Sequence, residues 1–502
     1  NNDDLNFDIK ILDLIINDLY QINKNPISGI FNSEINIRRN MENRTFKLNS
    51  KLSSLQIKNY DLGELNINVF GNTDYDSYVV NIDLLKNNLI SIKGEGSIIG
   101  ANKDPNIDID LIFEDFDISF IEKIGSNTMT NISSKVSGEV NLWGKSNNIQ
   151  HNGKLYLNQS KFKIPYLNIE YLLSEESEID LYNQNFEFNN VIINTDSNSS
   201  STLLEGKITH QDFKNWNLDM DFKSDRLYIL NKEFTEDENF YGNAFFGGDI
   251  NISGPTNQVS IDINGVTRSG TNITIPQSRN YSVDDFSFIT FSDLNSYSEE
   301  IPGDDNTLNK INKTLDLNMN LEINNSAEFE ITIDQETGSY ISGKGDGDLL
   351  MEIDSDGKFN IYGDFVASEG IYNFRNLALI DKKFELKKGG TIIWDGDPLA
   401  AQMNIQATYE VPGGANPALL LDNPNFNKKI PTDVDIRLTG ELTKPNSPDF
   451  EIFFPNTSST VTSEINYKLN DPEVRQLQAI SLLTQGIFIN EVSVSIEGVT
   501  NN

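Results

Sequence analysis

The two histidines are the first candidates for chemistry, because the chain has only two of them and no cysteine. Without cysteine there is no disulfide, no thiolate metal site and no thiol nucleophile. Any triad or general base built on histidine would therefore need His151 or His210. Both lie among polar residues, in the stretches IQHN and ITHQ, which predicts two surface histidines without a catalytic role. We expect no metal or other cofactor.

Three further patterns are weak as sites. The segment 354–357 (DSDG) resembles part of a calcium loop, but no glutamate follows at the required spacing, so a turn is the better interpretation. The segment 343–347 (GKGDG) is not a phosphate loop, because no Gly-Lys-Ser/Thr ends it. Acidic residues are so common that no pair indicates a glycosidase. An enzyme acting on polysaccharides has only these acids in its favour, and we predict that the protein is not an enzyme.

The net charge excludes one large class of partner. The chain has 39 basic and 75 acidic residues, giving 39 − 75 = −36. Such a surface repels phosphate backbones, so we expect no nucleic-acid binding, and it disfavours lying flat on an anionic membrane. Acidic side chains on solvated faces would keep a β protein soluble. No stretch approaches the ~20 apolar residues of a membrane-spanning helix.

Strict alternation of apolar and polar residues is the dominant pattern. It is clearest in 107–113, 217–223, 328–334, 403–411 and 434–438. Side chains of a strand point to opposite faces in turn, so each stretch predicts a strand with one apolar and one wet face. Gly, Asn, Asp and Ser interrupt the pattern about every dozen residues, as short antiparallel turns require. The sequence therefore predicts an all-β protein with a one-sided, antiparallel-rich sheet.

Only two segments predict helices. In the first, Lys10 to Ile22, the apolar residues Leu12, Ile15, Ile16 and Leu19 have helical spacing. The second follows Leu469 and ends at Gly486, with Asp471 as cap, Pro472 at the first helical position and Glu473 in the first turn. Its predicted apolar stripe consists of Val474, Leu477 and Ile480. We expect both helices to cover ends of the sheet.

A weak internal repeat accompanies the alternation. The tripeptides at Phe7 and Phe116 (both FDI) are separated by the same interval as the Ser-Gly pairs at 28 and 137. Equal offsets at two places favour stacked β units whose neighbours bury one another's faces. Both ends of the chain interrupt the pattern, so we expect an internal piece of a longer protein.

The stretch Val366 to Pro412 is the most specific in the chain. It contains the segments GIYNF (370–374), FEL (384–386) and GGTIIW (389–394), followed by GDP (396–398). In these residues the chain resembles the C-terminal domain of the TamB family, the translocation and assembly module. The segments FYG (240–242) and ISGPT (252–256) are similar to Bacteroidetes-like forms, and the upstream repeats resemble those of AsmA-like bridge-like lipid transfer proteins. The specific similarity covers about 230 to 490.

This resemblance implies a fold, a place and a set of partners. It implies a long sheet curled into an open trough (a β-taco) with an apolar interior, in the periplasm of a Gram-negative bacterium. It implies a bridge that aids outer-membrane biogenesis by conducting phospholipid, by supporting outer-membrane protein assembly and secretion, or both. The implied partners are phospholipid acyl chains, a TamA-like outer-membrane barrel, and the inner membrane through an N-terminal anchor outside this chain. The expected organisation is 1–230 repeated trough units, 231–294 a further unit, 295–312 a polar loop and 313–502 the TamB-like domain.

In an open trough, the apolar face of each strand would line a groove for lipid. We predict that the following residues line it: Leu218, Met220, Phe222, Phe329, Ile331, Ile333, Phe359, Ile361, Met403 and Ile405. Period-2 alternation is equally typical of an ordinary filled core. A structural or adhesive extracellular β-repeat protein with filled cores therefore remains the alternative, and packing decides between the two.

Overall fold

The computed structural model describes residues 5–16, 27–39, 44–71, 76–101, 104–124, 130–165, 167–195, 201–235, 240–276, 314–334, 336–353, 359–376, 380–442 and 444–490. These residues divide into two compact units. The N-terminal unit comprises the described residues of Asn1–Tyr228 and Gly248–Asp262, with 314–316. The C-terminal unit comprises those of Ile229–Gly247, Ile263–Ser287 and Leu317–Asn502.

The described chain consists mostly of strands. Strands β1 to β14 are Leu5–Ile15, Ile27–Arg39, Arg44–Ile57, Tyr60–Gly71, Ser77–Lys86, Leu89–Ile99, Asn106–Asp117, Thr130–Lys145, Asn148–Ile164, Ile169–Leu173, Ser177–Asn183, Asn185–Thr195, Thr202–Gln211 and Lys214–Lys232. Strands β15 to β27 are Tyr241–Pro255, Gln258–Thr267, Thr271–Ile275, Thr314–Ile323, Ala327–Asp334, Ser339–Ile353, Phe359–Asn376, Ile380–Leu386, Thr391–Gly396, Gln402–Glu410, Asp433–Glu441, Lys444–Pro445 and Asp449–Phe453. The helices α1 to α4 are Ile121–Ile124, Ala418–Leu421, Ser459–Lys468 and Pro472–Gln485, and short 3-10 turns lie at Pro398–Ala400 and Pro424–Phe426.

The N-terminal unit is an antiparallel meander. Each strand from β1 to β9 pairs with the next. Strand β9 then pairs with both β10 and β11, which follow one another along its length, and β12 pairs with both of them. Strands β13 and β14 continue the order. The prediction of an all-β, antiparallel-rich sheet is confirmed.

Among the strand pairs described for the C-terminal unit, all but one are antiparallel. Strand β17 pairs with β15 on one side and runs parallel to β19 on the other, from Thr271 opposite Ala327 to Ile275 opposite Ile331. Strands β19, β20 and β21 then pair in turn, and β21 pairs with both β22 and β23. Both of these pair with β24, which is followed by β25 and β27.

The predicted first helix is wrong over its described part. Residues up to Ile15 belong to β1, which pairs with β2. The register slips by a bulge between Ile11 and Leu14, where Asp13 has φ +51° and its N–H donates to Asn32 Oδ1 at 2.9 Å. A bulge inserts one residue and shifts the phase of alternation, which produces an apolar spacing that imitates a helix. Residues 17–22 lie outside the described part of the chain.

The predicted second helix is confirmed as α4. Asp471 accepts hydrogen bonds from the N–H groups of Glu473 and Val474 at 2.8 and 3.3 Å, and Gly486 ends the helix with φ +69°. The predicted apolar stripe is wrong, however, because Ile480 is exposed. The buried face instead consists of Gln478, Ala479, Ser481, Leu482 and Leu483.

Two polar residues can occupy that buried face because the chain returns along it. Gln478 donates to the carbonyl of Ile489 at 2.8 Å and accepts from its N–H at 3.0 Å. Ser481 donates to the carbonyl of Ile487 at 2.8 Å. A buried polar side chain is tolerated when its hydrogen bonds are satisfied, which a hydrophobic stripe alone does not predict. Helix α3, with Val461, Ile465 and Leu469 at helical spacing, was not predicted.

Several predicted features fall outside the described residues. The polar loop 295–312 is one of them, and the turn 354–357 is another. Strand β21 includes Phe359, but the side chain of Phe359 is not among those described.

Candidate functional site: an apolar wall across the N-terminal sheet

The inner face of the N-terminal sheet carries a continuous row of apolar residues at right angles to the strands. Each member lies directly opposite the next on the neighbouring strand. From β1 to β14 the row reads Leu14, Phe31, Leu52, Leu65, Leu84, Ile92, Phe113, Gly138, Leu155, Ile179, Phe188, Gly206 and Met220. Directly opposed side chains on one face lie close together, so the row is a continuous apolar surface in which glycine occupies two positions, 138 and 206. At ~4.8 Å per strand it extends for about 60 Å along the sheet.

A second row lies beside the first on the same face. It reads Ile11, Ser33, Ser50, Ile67, Ile82, Gly94, Leu111, Val140, Gly153, Leu181, Phe186, Ile208 and Leu218. Its two hydroxyl groups are hydrogen-bonded to each other, with 2.9 Å between Ser33 Oγ and Ser50 Oγ. These two rows are hereafter called the apolar wall.

The opposite face of the same strands is polar. The row between the two rows of the wall reads Asn32, Lys51, Asn66, Asp83, Lys93, Ile112, Glu139, Lys154, Asp180, Glu187, Lys207 and Asp219. Cross-strand ion pairs stabilise it, such as Lys154 with Asp180 at 3.1 Å. Apart from Ile112, this row is polar, so the sheet is mainly one-sided across these strands, as the alternation predicts.

Contacts between strands that are not neighbours show that this sheet is curled. Strands β11 and β12 separate β9 from β13, so a flat sheet would place residues of β9 and β13 about 14 Å apart. Instead, the Nε2 atoms of His151 on β9 and His210 on β13 are 2.8 Å apart. At the other ends of the strands, the hydroxyl of Tyr60 on β4 donates to Asp117 on β7 at 2.5 Å. The apolar wall is on the concave side, because the two imidazoles are in phase with the wall on β9 and β13, and Tyr60 packs on the inner cluster around Leu62.

Glycines in the wall permit this tight curl. A Cβ atom on Gly138 would lie 2.2 Å from the carbonyl oxygen of Lys154, and one on Gly206 would lie 2.2 Å from that of Asp219. Both residues also have positive φ values, +140° and +135°, which other residues rarely adopt. Strand glycines of this kind mark close backbone approach and sharp bends.

The wall is only partly covered by other parts of the described chain. In its first row, Leu84, Ile179 and Met220 are buried, whereas the remaining apolar side chains are half-buried. Towards β1 the inner face opens further: Phe7 is 51% exposed and Ile9 is 46% exposed. Monomeric soluble proteins rarely leave a contiguous apolar surface of this extent accessible, so such a surface indicates a binding function.

The C-terminal unit uses the same alternation to build a sealed core. Strand β24 has one buried and one exposed face, with every second residue buried from Met403 to Ala407. Val434, Ile436 and Leu438 of β25 continue this face and are 0–2% exposed. Residues of α4 cover it, and Leu483 belongs to the same buried cluster.

Aromatic residues of the stretch 366–412 form the centre of this core. Phe384 is fully buried, with its ring centroid 6.2 Å from that of Tyr372 and 6.3 Å from that of Phe374. The rings of Phe384 and Tyr409 are 5.7 Å apart. The most specific residues of the sequence are therefore packing residues of the C-terminal unit.

The ten predicted groove residues fall into three places. Leu218 and Met220 are the last members of the apolar wall, and Phe222 lies next to them on β14, opposite Leu204. Phe329 and Ile361 belong to a smaller cluster around Leu349 in the C-terminal unit. Ile331, Ile333, Met403 and Ile405 belong to, or pack against, the sealed core of that unit. Nothing is described of the side chain of Phe359, and contact of these residues with lipid stays a prediction.

Most of the wall was not among the predicted site residues. Its members from β1 to β13 follow the same alternation, and the stretch 107–113 shows it as clearly as any. Alternation does not give the register between strands, and the register decides whether the apolar faces of neighbouring strands join into one row.

The prediction of two surface histidines is wrong. His151 and His210 are 1% and 7% exposed. His151 has the same phase as Gly153 and Leu155 in β9, and His210 has the same phase as Leu204 and Ile208 in β13. Their phase in the alternation was the available signal, whereas the polar immediate neighbours suggested the surface.

Comparison with known protein families identifies the family to which this chain belongs. The family model of the TamB C-terminal domain matches residues 189–502, more than half of the chain. The chain belongs to the TamB family. The prediction made from 366–412 is thereby confirmed, whereas the closer likeness to Bacteroidetes-like and AsmA-like proteins stays a prediction. The TamB family is a non-enzymatic component of transport and assembly in the Gram-negative envelope. Comparison with curated proteins gives no significant match.

The TamB match begins in β12, so it includes the last strands of the wall together with the C-terminal unit. Across the described residues, no helix has the length and apolar character needed to cross a membrane. Within the same part of the chain, no three His, Asp or Glu side chains form a group that could hold a metal ion.

Proposed function

We propose that this TamB-family chain is part of a periplasmic bridge between the inner and outer membranes, and that its apolar wall conducts phospholipid acyl chains. The single observation that supports this most is the continuous, only partly buried apolar row from β1 to β14. A filled β domain would bury such a row, as the C-terminal unit buries its own.

Energetics favour an apolar wall as a conduit. An acyl chain of about 16 carbons gains roughly 0.8 kcal/mol per CH₂ from leaving water, or about 13 kcal/mol in all. A continuous apolar surface removes this barrier at every point along its length. Conduction therefore requires no catalytic group and no specific side chain, only apolar residues at alternate positions of successive strands.

Neighbouring residues of β4 allow a matched test. Leu65 is in the wall, and Asn66 points to the polar face one residue later. A photo-crosslinking amino acid is placed at 65 or at 66 in the full-length protein in cells, followed by irradiation, purification and mass spectrometry. We expect phospholipid adducts at position 65 and none above background at position 66.

A conduit also requires that adducts appear along the whole row. The same experiment at Phe31 and Phe188, near the two ends of the wall, should give phospholipid adducts at both. Equal labelling of the two faces, or no adducts at any wall position, would contradict the proposal. The second of these outcomes would favour a structural or adhesive protein with filled cores.

We further propose that the bridge works with a TamA-like barrel in the outer membrane and supports protein assembly there. Family membership supports this partner. Purification of the full-length protein from cells after crosslinking should recover the barrel, and substitutions in the wall should leave its recovery unchanged. Loss of phospholipid adducts with intact recovery of the barrel would separate the two activities.

A further inference from the structure

Five rings cluster at one rim of the curled N-terminal sheet. They belong to His151, Phe186, His210, Phe213 and Trp216. Ring centroids are 4.4 Å apart for His210 and Phe213, 4.7 Å for His151 and Phe186, and 4.8 Å for His210 and Trp216. This group is called the histidine cluster. It lies on the inner face, where the rows of the wall reach the hairpin turns.

The histidine cluster joins three hairpin turns: β8 to β9, β11 to β12, and β13 to β14. Gln184 of the second turn accepts from the N–H of Asp212 at 2.9 Å and donates to Asn148 at 2.9 Å. Ile149, in β9 just after the first turn, donates its N–H to the side chain of Asp212 in the third turn at 3.2 Å. The contact between the two imidazoles spans from the first turn to the third, so it holds the curl of this rim.

The hydrogen bonds fix where the protons are. The N–H of Phe213 donates to His210 Nδ1 at 3.0 Å, so this nitrogen is an acceptor. A neutral His210 then carries its proton on Nε2 and donates it to His151 Nε2 at 2.8 Å. His151 is therefore neutral as well, with its proton on Nδ1. Each accepting nitrogen is occupied, so an added proton must break one of these two bonds.

Few charges face the pair. Burial lowers the pKa of His151 to about 4, and the neighbouring His210 adds to this effect. Burial also lowers the pKa of His210, whereas the carboxylate of Asp212 in the third turn acts in the opposite direction. Glu187 of β12 and Lys207 of β13 are in the polar row on the other face, and Lys214 of β14 is exposed. Aromatic rings fill the remaining contacts described above.

We propose that the His151–His210 pair is an acid-sensitive latch, which holds this rim closed when both imidazoles are neutral and releases it when either gains a proton. A proton added to His151 Nε2 would place two N–H donors 2.8 Å apart, and they would repel each other. A charged imidazole among aromatic rings would also lose its hydration. The proposal concerns the fold of the rim and does not depend on what the wall carries.

The sign and size of the effect follow from the pKa values. The open rim exposes an ordinary histidine with a pKa of about 6.5, whereas that of the closed rim is about 4. The open state therefore binds more protons between these values, and closure weakens as the pH falls from about 6.5 through about 4. Relative to pH 7.5, the opening equilibrium at pH 5 should rise by about thirtyfold.

Trp216 is the natural reporter. In a Trp143→Phe/Trp394→Phe background it is the sole tryptophan, since the chain has three. Its emission should show a transition between pH 6.5 and pH 4. In parallel, hydrogen exchange corrected for intrinsic rates should accelerate in 145–151, 183–187 and 209–216, and not in the turns at the opposite rim, 57–61 and 86–90.

The matched variants replace each imidazole by an amide that cannot be charged. His151→Gln keeps an acceptor for His210 Nε2, and the double variant His151→Gln/His210→Gln removes both titrating groups. Far-UV circular dichroism at pH 7.5 first establishes that each variant is folded. If the double variant does not fold, the single variant alone is used for the test. The proposal predicts that the transition weakens in the single variant and disappears in the double one. A transition that persists unchanged, or that coincides with loss of structure at both rims, overturns it.

Discussion

The two units of this TamB-family chain use one sequence pattern for two kinds of packing. In the C-terminal unit, the apolar faces of β24 and β25 are covered by α4, and Ile436 is fully buried. In the N-terminal unit, apolar rows run from β1 to β14 but stay only partly buried along most of their length. The difference lies in what covers the face and not in the strands themselves.

This comparison shows which residues decide between a core and a wall. The covering helix exists because Asp471 starts it, Gly486 ends it, and Gln478 binds the returning chain. In the N-terminal unit the sheet itself partly covers its own apolar face, because it curls at positions such as Gly138 and Gly206. The curl buries part of the inner face, as in the cluster around Val140 and Ile179, and leaves other wall residues only partly buried.

The largest effect is expected where the core is sealed. Ile436→Ala should lower the free energy of unfolding of the C-terminal unit by about 2–5 kcal/mol, because it removes fully buried methylene groups and leaves a cavity. Urea unfolding followed by the fluorescence of Trp394, which packs against this core, measures the change. A loss well below 1.5 kcal/mol would mean that this unit is as open as the wall, and the comparison would fail.

A smaller but clear effect is expected where the wall bends. Gly138→Ala should destabilise the N-terminal unit by roughly 1–3 kcal/mol, because its Cβ would lie 2.2 Å from a carbonyl oxygen of β9. The control is Gly390→Ala in the C-terminal unit, whose Cβ would find its nearest neighbour at 3.4 Å. Hydrogen exchange in β8 and β9 reports the first change. Equal effects of the two substitutions would argue against a tightly curled wall.

The cap of the covering helix offers a third test. Asp471→Ala should cost about 1 kcal/mol, because two N–H groups of α4 lose their acceptor. Ser458, at the start of α3, makes no side-chain cap hydrogen bond, so Ser458→Ala should change stability by only a few tenths of a kcal/mol. Thermal unfolding of the two variants measures both losses of stability. If Ser458→Ala cost as much as Asp471→Ala, the difference between the two helix starts would have no energetic weight.

Sequence reasoning found the strands, helix α4 and the family, since each has a local signal. Alternation marks β24 directly, and Asp471 with Gly486 marks α4. The same reasoning failed where the decisive contact is distant. The bulge at Asp13 imitated a helix, and the polar neighbours of His151 and His210 hid a buried pair that forms only when β9 and β13 meet across the curl. Register and coverage are properties of the folded sheet, and period-2 alternation contains neither.

The smallest effect gives the sharpest comparison, because it uses the same substitution in the other unit. Ile109 is on β7, between Gly96 and Leu142 on the same inner face as the wall, and is half-buried. Ile109→Ala should therefore cost less than about 1 kcal/mol, since its side chain is only partly buried and its removal leaves no sealed cavity. Urea unfolding, followed by the fluorescence of Trp216 in the same unit, measures it before and after phospholipid is stripped with detergent. A cost that matches that of Ile436→Ala would show that the wall is a sealed core, and the conduit would then have no surface along which to act.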